Sequence, residues 1–112
     1  EYSWQIEHDN IAITAGSQSS FFILCNLLSG HWADGVERHL QLPLTLEYIG
    51  YGDITLSPQA LLSERPVIEH LEDDLFKYSV DFARLSLNDN TGAVCVSRPT
   101  NPTGNVLSDE EM

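Results

Sequence analysis

The chain has 112 residues, with 17 acidic and 5 basic side chains and a formal net charge of −12 at pH 7. That length holds at most one domain. The basic residues are Arg38, Arg65, Lys77, Arg84 and Arg98, too few for the basic face that a phosphate backbone requires, so no nucleic-acid partner is expected. No apolar run approaches the roughly 20 residues that would span a membrane, and no basic, then apolar, leader marks the amino end, so no membrane partner is expected either. Cys25 and Cys95 both lie in apolar runs. They read as buried thiols in a reducing, cytoplasmic compartment, with a Cys25–Cys95 disulfide as the alternative.

In chain order, Tyr2–Ile6 reads as a structured segment. Ile11–Thr14 is a short, partly β-branched run that predicts a strand, broken at Ala15-Gly16. Phe21–Leu28 is apolar almost all round, as in a helix buried on several sides, and Gly30 stops it. Residues 11–29 therefore predict strand, glycine turn, helix. Such a turn aims free backbone N–H groups and the positive end of the helix dipole at one spot, where an anion can sit. A plain serine-capped turn would read the same way.

Val36–Leu42 predicts a second strand, ended by Pro43. Leu44–Asp53 predicts a loop entering a short helix, with Tyr48 and Tyr51 three apart on one face. Two such rings serve either as core or as a surface for a flat ligand. Leu56–Glu64 reads as loop or frayed helix, and Pro66–Leu71 as a third strand. Glu72-Asp73-Asp74 reads as a solvated turn without the spacing of a calcium loop. Lys77–Phe82 predicts an extended piece leading into a turn at Asp81–Leu85. Asn88–Gly92 reads as a loop and Ala93–Ser97 as the last strand. The order of elements predicts an α/β fold with a mostly parallel sheet flanked by helices. The four histidines show no metal-ligand spacing, so no metal is expected.

The last strand runs into Arg98-Pro99-Thr100-Asn101-Pro102-Thr103-Gly104. Ligands of open α/β sheets sit outside the carboxyl ends of strands, which places Asn101 where a functional side chain belongs. Alone, Asn-Pro and Thr-Gly are ordinary turn dipeptides. Ser108-x-x-Glu111 is a capping box that opens a helix of which only the first turn is present, so the chain reads as a piece of a longer protein.

Three features in order, Gly16-Ser17-Gln18, the Tyr48/Tyr51 pair and Asn101-Pro102-Thr103-Gly104, resemble the large domain of fold-type I pyridoxal-phosphate (PLP) aminotransferases. The resemblance covers about residues 5 to 112. The strings I-T-A-G-S-Q-S-S-F-F, E-Y-I-G-Y and S-R-P-T-N-P-T-G-N look most like the branch that exchanges valine or alanine with pyruvate or 2-oxoisovalerate. The resemblance implies that residues 1–112 are part of the PLP-binding domain, truncated at its carboxyl end. It implies that Gly16, Ser17 and Gln18 cradle the phosphate, that Tyr48 (or Tyr51) stacks on the ring, and that Asn101 bonds the phenolic oxygen. It also implies amino-acid and 2-oxo-acid substrates and a homodimer. The family places the Schiff-base lysine and the acidic partner of the ring nitrogen after the N-P-T-G loop, and Lys77 does not match that position. No catalytic residue is therefore expected within these 112 residues, and the chain alone is expected to be inactive. A PLP lyase of the same fold, a non-catalytic PLP-fold domain of a transcription regulator, and a ligand-free interaction domain are the other readings.

Overall fold

The computed structural model describes residues 4–44 and 46–112. Its organising strand is Glu37–Leu42 (β2), which follows a two-residue strand at Gly30–His31 (β1). The turn between them is held by a hydrogen bond from Gly35 N–H to Trp32 O and by the Asp34–Arg38 ion pair, with the Arg38 guanidinium 4.2 Å from the Trp32 ring centre. β1 pairs antiparallel with β2, a hairpin that the sequence reading missed because β1 is only two residues long.

Two further strands flank β2 in parallel, Leu61–Ser63 (β3) and Thr91–Val94 (β6). β3 falls where a loop or frayed helix was expected. Leu40 and Leu42 align with Leu61 and Ser63, and the pairing draws an otherwise turn-rich segment into extended form. The expected last strand is present but begins two residues early, and Cys95 N–H still bonds to Gln41 O.

The expected third strand, Val67–His70 (β4), does not join this sheet. It pairs antiparallel with Phe76–Ser79 (β5). Few residues separate them, and so short a connection permits only a hairpin. Asp73 and Asp74 both adopt positive φ (57° and 58°), as the turns of two-residue hairpin loops require. The mostly parallel sheet expected from the sequence is thus a mixed one with a separate antiparallel ribbon.

The α-helix (α1) spans Ser17–Leu28 and lies on the sheet through Cys25 and Leu28, which join Leu40, Leu42, Tyr51, Ile54, Leu61, Ala93 and Cys95 in the core. It is the only α-helix among the described residues, so helices do not flank both faces. Nor is it buried on several sides. Phe22, Ile23, Leu24 and Leu27 are exposed, because the sheet covers only the Cys25 stripe. Asn26 is the link that periodicity could not show. Its amide donates to the Ile54 carbonyl (2.8 Å) and its oxygen accepts from Leu56 N–H (2.7 Å), tying the helix to the turn after the tyrosines.

The strand expected at Ile11–Thr14 is absent, since the segment meets no strand among the described residues and leaves Ile11 and Ile13 exposed. Tyr2 and Ser3 of the expected segment Tyr2–Ile6 lie outside the described residues, and Trp4–Ile6 is irregular. Thr45 of the Leu44–Asp53 loop also lies outside them. Cys25 and Cys95 are free thiols. Burial, followed by the neighbouring Cys25, pushes the Cys95 thiol up to about 11.

Candidate ligand cleft at the strand ends

Three segments converge at the carboxyl ends of β2 and β6. The first is the start of α1. Gly16 is its N-cap residue, at φ 99° and ψ 166°, a conformation that favours glycine. Its carbonyl accepts the first helical hydrogen bond, from Ser20 N–H (3.2 Å). The N–H groups of Ser17, Gln18 and Ser19 precede that bond and have no partner within the helix. No side chain caps the helix. The Ser19 and Ser20 hydroxyls turn back to the Ala15 and Gly16 carbonyls, whereas Ser17 and Gln18 face a cleft of about 390 Å³.

The second segment is the short 3-10 helix Ile49–Asp53, entered through Tyr48. A three-residue repeat brings the two tyrosines together, and their rings meet edge-on at 5.9 Å. Their environments differ. Tyr51 is 3% exposed, packs on Phe21 at 5.6 Å and bonds through its hydroxyl to Ser97 Oγ at 2.6 Å. Burial pushes its phenol up, so it stays neutral. Tyr48 is 42% exposed and lines the cleft. Its ring lies on Gly50, where a Cβ would collide with the ring carbons.

The third segment is the loop after β6. Thr100 and Asn105 close it, with Thr100 N–H bonded to Asn105 O (2.9 Å) and Gly104 N–H to Thr100 O (2.7 Å). The Asn105 side chain grips Tyr78 of β5 through both its amide and its oxygen. The loop so held presents Pro99 and Asn101 to the same cleft as Ser17, Gln18 and Tyr48. Gly16 stands one residue outside the lining.

The cleft is therefore lined by the start of a helix with free N–H groups, an aromatic face and a carboxamide. Its lining contains no lysine, histidine, cysteine or carboxylate. It can hold an anionic, flat molecule, and the hydroxyl groups that line it belong to Ser17, Tyr48, Tyr51 and Ser97. Lys77 is half-buried on β5. Its ammonium lies 2.6 Å from Glu111, and neither residue lines this cleft. Glu111 also accepts from Ser108 and Val80 N–H. Sequence reasoning missed Phe21 and Ser97, which also line the cleft. Among the described residues no cluster of His, Cys, Asp and Glu is suited to a metal, and no helix is long and apolar enough to cross a membrane.

No family model matches the chain. It is 54% identical over 109 residues to the valine–pyruvate aminotransferase of Escherichia coli (strain K12), covering 97% of this chain and 26% of that protein. The crystal structure of valine–pyruvate aminotransferase from Salmonella typhimurium LT2 superposes with a TM-score of 0.80 at 51% identity, over 96% of this chain and 26% of that one. A second crystal structure, assigned as an amino-acid aminotransferase of Psychrobacter arcticum 273-4, gives 0.87 at 45% identity over 98% of this chain and 28% of that one. The homologues of this chain are thus aminotransferases, and it spans about a quarter of their length.

Proposed function

We propose that these residues form the phosphate-and-ring half of the PLP site of an aminotransferase that exchanges amino groups between valine or alanine and pyruvate or 2-oxoisovalerate. The observation that carries the reading is the convergence of Ser17, Gln18, Tyr48 and Asn101, from three separate segments, on one cleft. The cleft fits the cofactor. The uncapped start of α1 suits a phosphate dianion, since donors and dipole point at the same place. The half-exposed Tyr48 ring, backed by Gly50, suits the face of a pyridine ring. The Asn101 carboxamide suits a phenolic oxygen, where a donated hydrogen bond favours the ionised form.

Bound there, PLP supplies the electron sink that lets an amino acid lose its α-proton. The residues of this chain bind and orient. Ser17 and Gln18 anchor the anion, Gly16 lets the backbone turn toward it, and Tyr48 fixes the plane of the ring. Tyr51 does not stack; it supports Tyr48 from the core and is held by Ser97. No lysine lines the cleft to form a Schiff base, and the 112-residue chain alone is expected to give no turnover. We further propose a cytoplasmic homodimer.

The test is the visible spectrum of the full-length protein. A band that fades with L-valine and returns with pyruvate is the expected result. A bound band that does not cycle would contradict transamination, and no band with added PLP would contradict the cofactor reading itself.

A further inference from the structure

Tyr48 and Asn101 belong to different loops, and those loops meet behind the cleft at a buried ion pair. Arg98 Nη2 lies 2.7 Å from Glu47 Oε1, with the two side chains 11% and 2% exposed. The other Glu47 oxygen accepts from Ser97 N–H at 3.1 Å. Arg98 Nη1 donates to the Ser97 carbonyl (2.6 Å) and to Thr100 Oγ1 (2.7 Å), and Thr100 Oγ1 donates to that same carbonyl (3.1 Å). Glu47 directly precedes Tyr48, and Thr100 directly precedes Asn101. The pair therefore clamps the chain one residue away from each ligand-facing side chain.

Stability does not account for this pair. The short Glu47–Arg98 approach is a charge contact without good hydrogen-bond alignment, and Arg98 Nε has no acceptor among the described residues. Desolvation of two charges offsets much of their attraction, and apolar side chains of similar volume often do as well or better. What an apolar pair would lack is direction. The two arms of the guanidinium hold both loops at once, Nη1 on Ser97 and Thr100 and Nη2 against Glu47, which packing alone does not specify.

The geometry points to Glu47–Arg98 as a positioning pair that sets the separation of Tyr48 from Asn101, and so the width of the ring-binding end of the cleft. The inference rests on the cofactor reading above. The anion end is held less directly: none of the bonds of this pair reaches α1 itself, which it meets only through the Ser97–Tyr51 hydrogen bond and the Tyr51–Phe21 ring contact. Loss of the pair therefore weakens contact with the ring far more than contact with the phosphate.

The test is equilibrium binding of PLP, phosphate-free pyridoxal and inorganic phosphate to the full-length protein and its Glu47→Gln, Arg98→Gln and Arg98→Lys variants. Folded single variants bind pyridoxal about tenfold or more weakly, as misplaced contacts predict, while inorganic phosphate binds nearly as in wild type. Arg98→Lys keeps the charge and loses the guanidinium, so it remains informative if either glutamine variant fails to fold. The Glu47→Gln/Arg98→Gln double variant loses less than the two singles combined, since it strands no lone buried charge. Wild-type pyridoxal affinity in folded single variants would overturn the inference, as would an equal loss of phosphate and pyridoxal. A wild-type protein that binds neither PLP nor pyridoxal would overturn the cofactor reading and this inference with it.

Discussion

At the scale of single residues, the two tyrosines show how neighbours divide a role. Tyr51 fills the core and ends in a hydrogen bond to Ser97, whereas Tyr48 leaves its ring half in solvent. Tyr51→Phe leaves the Ser97 hydroxyl unpaired and is expected to lower stability by about 1 kcal/mol in thermal unfolding. Tyr48→Ala is expected to leave the unfolding midpoint nearly unchanged and to weaken PLP binding. Glu111 carries the clearest pH signature. Burial raises its pKa, but hydrogen bonds from Lys77, Ser108 N–H and Val80 N–H outweigh burial and bring it from 4.5 to about 2. A depressed carboxylate stabilises the fold at pH values above its unfolded pKa, and that contribution is lost as pH falls through the folded one. Acid unfolding followed by circular dichroism should therefore show stability falling between about pH 4.5 and pH 2, with a shallower fall in Glu111→Gln. The Cys25 and Cys95 thiols, both raised by burial, are expected to resist alkylation at pH 8 until the protein unfolds.

At the scale of elements, the sequence disclosed what local rules govern. The glycine turn at Gly16, the apolar helical run Phe21–Leu28 before Gly30 and the strand ended by Pro43 carry their own start or stop residues. Partners were not legible. Leu61–Ser63 becomes a strand because Leu40 and Leu42 lie beside it, and Ile11–Thr14 stays irregular because no strand among the described residues pairs with it. The site shows the same division. Ser17, Gln18, Tyr48 and Asn101 could be named from their motifs, while Glu47 and Arg98 touch only once two loops have been assembled. Two contacts between elements give direct tests. Asn26→Ala removes the bonds between α1 and residues 54–56, and should cost about 1–3 kcal/mol in chemical denaturation. Gly92→Ala places a methyl where the Leu28 carbonyl oxygen lies, backbone against backbone. It should cost about 3 kcal/mol or more, the upper range of overpacking.

At the scale of the whole molecule, the chain is more extended than its length alone suggests. Its radius of gyration is 16.0 Å, against about 13 Å for a compact domain of roughly 100 residues. The outer face of α1 and the Ile11–Ile13 segment expose large apolar side chains. Both facts agree with a chain that spans about a quarter of its aminotransferase homologues. Produced alone, the 112-residue chain is expected to self-associate, which light scattering would detect. The central claim is that one cleft built from three loops holds PLP, and the most direct test is a crystal structure of the full-length protein with the cofactor bound. The account predicts phosphate oxygens on the Ser17 and Gln18 N–H groups, the pyridine ring against Tyr48, and the Asn101 carboxamide on the phenolic oxygen. A cofactor phosphate bound away from the start of α1, or a ring that leaves Tyr48 untouched, would contradict it.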